Sequence, residues 1–181
     1  MVDYLYEDLV VRYAKNFVPV IIRKDIIKKI ECLAGEIVKK KVEESHHSID
    51  NGNELKRFVT GLMGESAVES LLGVDIIEWS VGDSKEYNHP DINSLGVGIK
   101  TAERNKFPII PKFNDYPQII CVRSDKREDL VFVCGLATPE VLNRFQSDSL
   151  VLSQGLRSRG VKTGFYGFGK LKKITRLEDL K

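Results

Sequence analysis

The sequence predicts an α/β (α+β) fold, a β-sheet with helices around it, and three observations carry that expectation. Apolar runs of strand length recur between turn signals: 74–80, 96–102, 118–123 and 130–136. Two long segments with helical apolar spacing, 24–46 and 54–72, precede most of them. Thr138-Pro139-Glu140 then opens a further helix, with threonine at the cap and proline at the first helical position.

Length and composition bound the rest. A chain of 181 residues with 42% hydrophobic content suits one domain. Residues 1–53 are expected as an N-terminal helical appendage and residues 54–181 as the α/β core. The net charge is only +2, so a nucleic-acid surface must be local. Cys32, Cys121 and Cys134 lie in apolar segments without metal spacing and are expected to be buried and reduced. The start of the chain shows no signal-peptide pattern, and no apolar run reaches membrane length. A cytoplasmic protein with no membrane partner is expected.

Taken in order, residues 3–16 read as a short helix that Pro19 ends. In 24–46, Ile26, Ile27, Ile30, Leu33, Ala34, Ile37 and Val38 form one apolar side, and Lys39 to Glu44 form a solvated end. His46 and His47 are adjacent, share no helix face, and are expected to be exposed rather than metal ligands. Residues 49–53 read as a loop.

The helix at 54–72 carries acids in an unusual place. A seven-residue step turns a helix by only about 20° from its starting direction. Glu65 therefore lies nearly beneath Phe58, and Glu69 nearly beneath Leu62, on the side that carries apolar residues. Gly61 and Gly64 cost roughly 1 kcal/mol each against alanine and permit close approach of a strand. A plain alternative is a Glu65–Glu69 flank at the sheet edge.

Val74 to Ser80 reads as a first strand, and 81–88 as a polar loop. A short second strand ends near Asp91 and Ile92, and a third spans Gly96 to Ala102. Side chains alternate along a strand, so Gly98 and Lys100 share one face while Val97, Ile99 and Thr101 take the other. A carboxylate at the end of one strand can hold a hard cation, and a lysine on the next can hold a phosphate or steady a deprotonated water. The bland alternative is a surface Pro-Asp turn before an ordinary strand. Pro108, Pro111 and Pro117 make 107–117 irregular. Strands follow at Gln118–Arg123 and Leu130–Leu136, joined by a charged turn, and the Thr138-capped helix runs to about Phe145. Residues 147–155 read as a weak helix or loop. Arg157, Arg159 and Lys162 then lie between glycines in a flexible segment, the best phosphate-binding candidate and equally readable as a solvated basic loop. A last strand is expected in 163–168 and a short closing helix at 177–180.

Pro90-Asp91 followed by Lys100 resembles the motif of the PD-(D/E)XK nuclease superfamily, which includes restriction enzymes, Holliday-junction resolvases and phage nucleases. The resemblance spans roughly residues 54–136. Gly64-Glu65-Ser66-Ala67 is similar to the first core helix of that superfamily, whose glutamate commonly supports the metal site. The resemblance implies a restriction-endonuclease-like core, a central mixed β-sheet flanked by helices. It implies a metal-dependent DNA endonuclease with Mg²⁺, or Mn²⁺ in its place, held by Asp91 and Glu65, and with Lys100 at the attacking water. It also implies DNA as partner and, for cutting both strands, a homodimer.

Two departures stand out. The acid expected two positions before the lysine is replaced by Gly98, and the helix that the family places between its third and fourth strands meets a proline-rich stretch. Glu65 is the first choice for the missing acid. Glu69 is the spare, and Glu103 is a further alternative that falls on the opposite face from Lys100 unless the strand ends first. A nuclease-like module that only grips DNA, and a structural protein that binds a partner through its N-terminal helices, are the readings from other classes.

Overall fold

The computed structural model describes residues 2–44, 51–81 and 90–181. Five helices are assigned among them: α1 (Val2–Leu9), α2 (Lys24–Glu44), α3 (Asn51–Leu72), α4 (Pro139–Arg144) and α5 (Gln154–Arg159). The strands are β1 (Val18–Ile21), β2 (Gly98–Glu103), β3 (Ile109–Pro111), β4 (Gln118–Arg123), β5 (Leu130–Ala137), β6 (Gln146–Ser147) and β7 (Lys162–Phe165). The fold is mixed α and β, with a four-stranded sheet of order β1-β5-β4-β2 and a three-stranded sheet of order β3-β7-β6. In the larger sheet β2 and β4 run parallel, while β5 is antiparallel to both β4 and β1.

Strand parity divides the core in two. Ile119 and Cys121 of β4 point to one face and join Ile30 and Leu33 of α2 and Met63 and Ala67 of α3 in one buried cluster. Ile120 and Val122 point to the other face and join Tyr6 of α1, Ile110 of β3, Leu142 of α4 and Phe165 of β7. Both faces of the sheet are covered, which is why β4 reads as a continuous apolar run. A bulge in β5 resets the alternation. Ile120 pairs with Gly135 but Cys121 pairs with Val133, so Cys134 is the extra residue. Gly135 has φ 139°, and a Cβ there would stand 2.6 Å from the Lys172 carbonyl. Only glycine fits that backbone and that approach.

Several expectations change. The chain does not stay helical over 3–16: α1 stops at Leu9 and a 3-10 segment, Val11–Asn16, follows. Pro19 does more than end a helix, because it lies within β1, opposite Phe132. β1 is an edge strand, where a missing N–H is tolerated. Within residues 1–53, expected as an appendage, β1 pairs with β5 and α2 lines the same buried cluster as α3. Asn51 already belongs to α3, so the expected loop at 49–53 does not extend that far. Residues 74–79 form no strand. The proline-rich stretch holds β3 and no helix. The segment expected to be a flexible basic loop is largely α5, capped by the Ser153 hydroxyl and ended by Gly160 in the left-handed conformation. Cys121 and Cys134 are buried, and burial raises both thiols, but Cys32 is exposed on α2. The paired histidines His46 and His47, most of the loop expected at 81–88 and most of the short strand before Asp91 lie outside the described residues.

Candidate active site

The site begins with a tight reversal. Ile92 and Val97 exchange backbone hydrogen bonds across a 3-10 turn, Asn93–Leu95, and Gly96 closes it in the left-handed conformation. The reversal lays Asp91 beside the start of β2. The Gly98 N–H donates to the Pro117 carbonyl on the β4 side, so the next amide, Ile99 N–H, faces away from β4, where no strand pairs with β2 among the described residues. Asp91 Oδ2 accepts that N–H at 2.5 Å. Burial raises the Asp91 carboxyl above its ordinary range, while the Ile99 N–H and the Lys100 charge hold the rise back.

Ile99 belongs to the cluster on the α3 face. Gly98 faces the side chains of Tyr116 and Gln118 instead, so the alternation expected for this strand is present. Thr101 shares the α3 face and presses on the helix: a Cβ at Gly64 would stand 1.7 Å from Thr101 Oγ1. The expected close approach thus occurs at Gly64. Among the described residues nothing lies within 4 Å of the place a Gly61 Cβ would take.

This contact brings α3 against β2 and sets Glu65 in the field of Asp91 and Lys100. Glu65 is half-buried, and its carboxyl is pushed up to about 7. Burial is the main cause. The negative charges of Asp91 and Glu69 add to it, and Lys100 opposes it. Three residues far apart in sequence, Glu65, Asp91 and Lys100, therefore share one electrostatic neighbourhood.

The alternative acids are occupied elsewhere. Glu69 Oε1 accepts the N–H groups of both Ile76 and Ile77, each at 2.7 Å, and so ties down the segment after α3. That carboxylate satisfies the backbone of residues that would otherwise need a strand partner. Glu103 bonds Lys56 at 2.9 Å and Lys106 at 2.6 Å, at the far end of β2. Burial opposes its ionisation, yet the two lysines outweigh it and hold its carboxyl below the ordinary range.

The position of the missing acid is filled. A Cβ on Gly98 would lie 2.9 Å from Tyr116 Cε2 and 3.0 Å from Gln118 Oε1, so no larger residue fits without displacing them. Sequence reasoning missed Gln118 and Tyr116. The sequence signal was faint, a glutamine opening an apolar strand; only the pairing of Gly98 with Gln118 across β2 and β4 gives it meaning.

The basic candidates separate. The Arg157 guanidinium donates to the Val151 carbonyl from Nε at 3.1 Å and from Nη2 at 2.6 Å, which anchors α5. Arg159 is exposed. Lys162 is half-buried on β7, and its ammonium is lowered by burial and by the charges of Lys100 and Arg57. It therefore stands in the field of Lys100.

Among the described residues no three His, Cys, Asp or Glu side chains form a ready metal cage. Glu65 and Asp91 nevertheless suit a hard cation: both are oxygen donors, both are raised by burial, and the Asp91 charge disfavours ionisation of Glu65. No family model, curated protein or solved structure matches the chain.

Proposed function

We propose that the chain is a metal-dependent DNA endonuclease with a restriction-endonuclease-like core, working with Mg²⁺ or Mn²⁺. The observation that carries the reading is the shared neighbourhood of Glu65, Asp91 and Lys100, drawn from α3, the turn before β2, and β2 itself. A divalent cation held by Glu65 and Asp91 would offset the charge of the scissile phosphate and polarise its oxygens. Asp91 is oriented by the Ile99 N–H. Lys100 directs a hydrogen bond to the attacking water and keeps it aligned with phosphorus. Lys162 and Arg159 contact neighbouring backbone phosphates. Two carboxylates suffice because water and substrate oxygens complete the coordination of such an ion. A symmetric pair of subunits would cut both strands of a duplex.

The filled position at Gly98 favours a second reading, a nuclease-like module that grips DNA without cutting it. Cleavage assays separate the two. The purified protein is incubated with duplex, single-stranded and branched DNA in Mg²⁺ or Mn²⁺. Cleavage that disappears in Asp91→Ala and Lys100→Ala, with folding unchanged, supports the enzyme. Metal-independent binding without cleavage of any DNA form refutes it.

A further inference from the structure

We propose that the Gln118 side-chain oxygen is a third ligand of the divalent-ion site and stands where Gly98 lacks an acid. The inference rests on the metal-dependent reading of that site. Gly98 and Gln118 are direct partners in the parallel β2–β4 pair, so their side-chain positions lie side by side on one face of the sheet. Gln118 is 1% exposed. Its Oε1 stands 3.0 Å from the place a Gly98 Cβ would occupy. The amide oxygen therefore lies where a longer residue at 98 would begin.

Among the described residues that oxygen has no hydrogen-bond partner. Tyr116 packs on the same spot, with Cε2 at 2.9 Å from that Cβ position. Its hydroxyl interacts with the Gln118 side chain, yet Gln118 Oε1 itself stays without a hydrogen-bond partner among the described residues. Buried amide oxygens are satisfied in the great majority of cases, so an unsatisfied one beside a candidate site calls for a ligand. The chemistry fits a hard cation, which accepts glutamine carbonyls along with carboxylates and water. Asp91 is anchored at Ile99, the next residue of the same strand. Asp91 thus meets β2 on its side away from β4, at Ile99, and Gln118 meets it from β4, at the neighbouring Gly98, which carries no side chain. The remaining orphaned oxygens differ in kind. Thr101 Oγ1, for example, is pressed against Gly64 and has no room for a ligand.

The test measures Mn²⁺ affinity by the paramagnetic resonance of the free ion, without DNA and without turnover. Gln118→Leu keeps the bulk and removes the oxygen, and it should weaken binding about tenfold or more. Gln118→Glu restores a charged oxygen and should tighten it by a similar factor. Gln118→Leu binding Mn²⁺ as tightly as wild type overturns the inference. If Gln118→Leu does not fold, Gln118→Glu decides: tighter binding supports the inference, and unchanged or weaker binding overturns it. Asp91→Asn and Glu65→Gln separate the two levels of the argument. If these weaken Mn²⁺ binding and the Gln118 variants do not, only the third ligand falls. If wild-type protein binds no Mn²⁺, the metal-dependent reading falls and takes this inference with it.

Discussion

Glu65→Gln should make the protein more stable, and the gain should depend on pH. The Glu65 carboxyl has an ordinary value of 4.5 and is pushed up to about 7 in the folded chain. Below 4.5 it is protonated in both states and contributes nothing to the difference. Between 4.5 and 7 the unfolded chain releases the proton while the folded chain keeps it, so rising pH favours unfolding. Each unit costs about 1.4 kcal/mol. Above pH 7 the accumulated penalty levels off at about 3 kcal/mol. Glutamine keeps the shape and removes the titration. The variant should match wild type near pH 4 and exceed it by about 3 kcal/mol at pH 8. For a chain of this size that corresponds to roughly 6–12 °C in melting temperature. The assay is urea unfolding at a series of pH values in the presence of a chelator, so that no metal relieves the repulsion between Glu65 and Asp91. Parallel stability curves from pH 4 to 8 would refute the placement of Glu65 in a buried, negatively charged site. The expected result also has a functional meaning. On the proposed function, the Glu65 carboxylate would exchange stability for a metal ligand, a stability–function trade-off.

Two further expectations concern the elements that hold the site. Glu69→Ala strands the N–H groups of Ile76 and Ile77 and should cost about 2–3 kcal/mol in urea unfolding, while leaving Mn²⁺ binding intact; loss of Mn²⁺ binding would move Glu69 into the site. Gly64→Ala forces a Cβ to 2.9 Å from Thr101 Cβ, a clash that side-chain rotation does not clear. Overpacking of about 1–3 kcal/mol is offset by about 1 kcal/mol of helix propensity, so a net loss is expected, relieved in part by Thr101→Ala. Gly61→Ala meets nothing within 4 Å among the described residues and should gain up to about 1 kcal/mol; equal effects at the two glycines would refute the close contact of α3 with β2.

Sequence alone determined the parts that depend on local chemistry and on period. The apolar runs of β4 and β5 are buried on both faces, and runs of that kind are legible without neighbours. The Thr138-Pro139 start of α4 was legible because the cap and the fixed proline torsion act within four residues. The placing of Glu65 on an apolar side of α3 followed from helical geometry, and Gly98 and Lys100 sharing a face followed from strand geometry. What sequence could not show depends on partners distant along the chain. Residues 74–79 carry strand-like residues but find no strand, because Glu69 accepts the N–H groups of Ile76 and Ile77. β1 forms around Pro19 because it lies at an edge, a property of the sheet and not of the tetrapeptide. Ser153 and Gly160 cap a short helix where the glycines suggested a loop. The cation reading of 157–162 divided for the same reason. Arg157 is used by the Val151 carbonyl, whereas Lys162 is drawn towards Lys100 by the pairing of β7 with β3. Above all, the filled acid position is a fact of strand register. Gly98 and Gln118 are separated along the chain, and only the parallel pairing of β2 with β4 sets an unsatisfied oxygen beside the missing carboxylate. Periodicity is written into the chain residue by residue, but register is decided by the summed packing of both faces, so the tertiary structure alone reveals it.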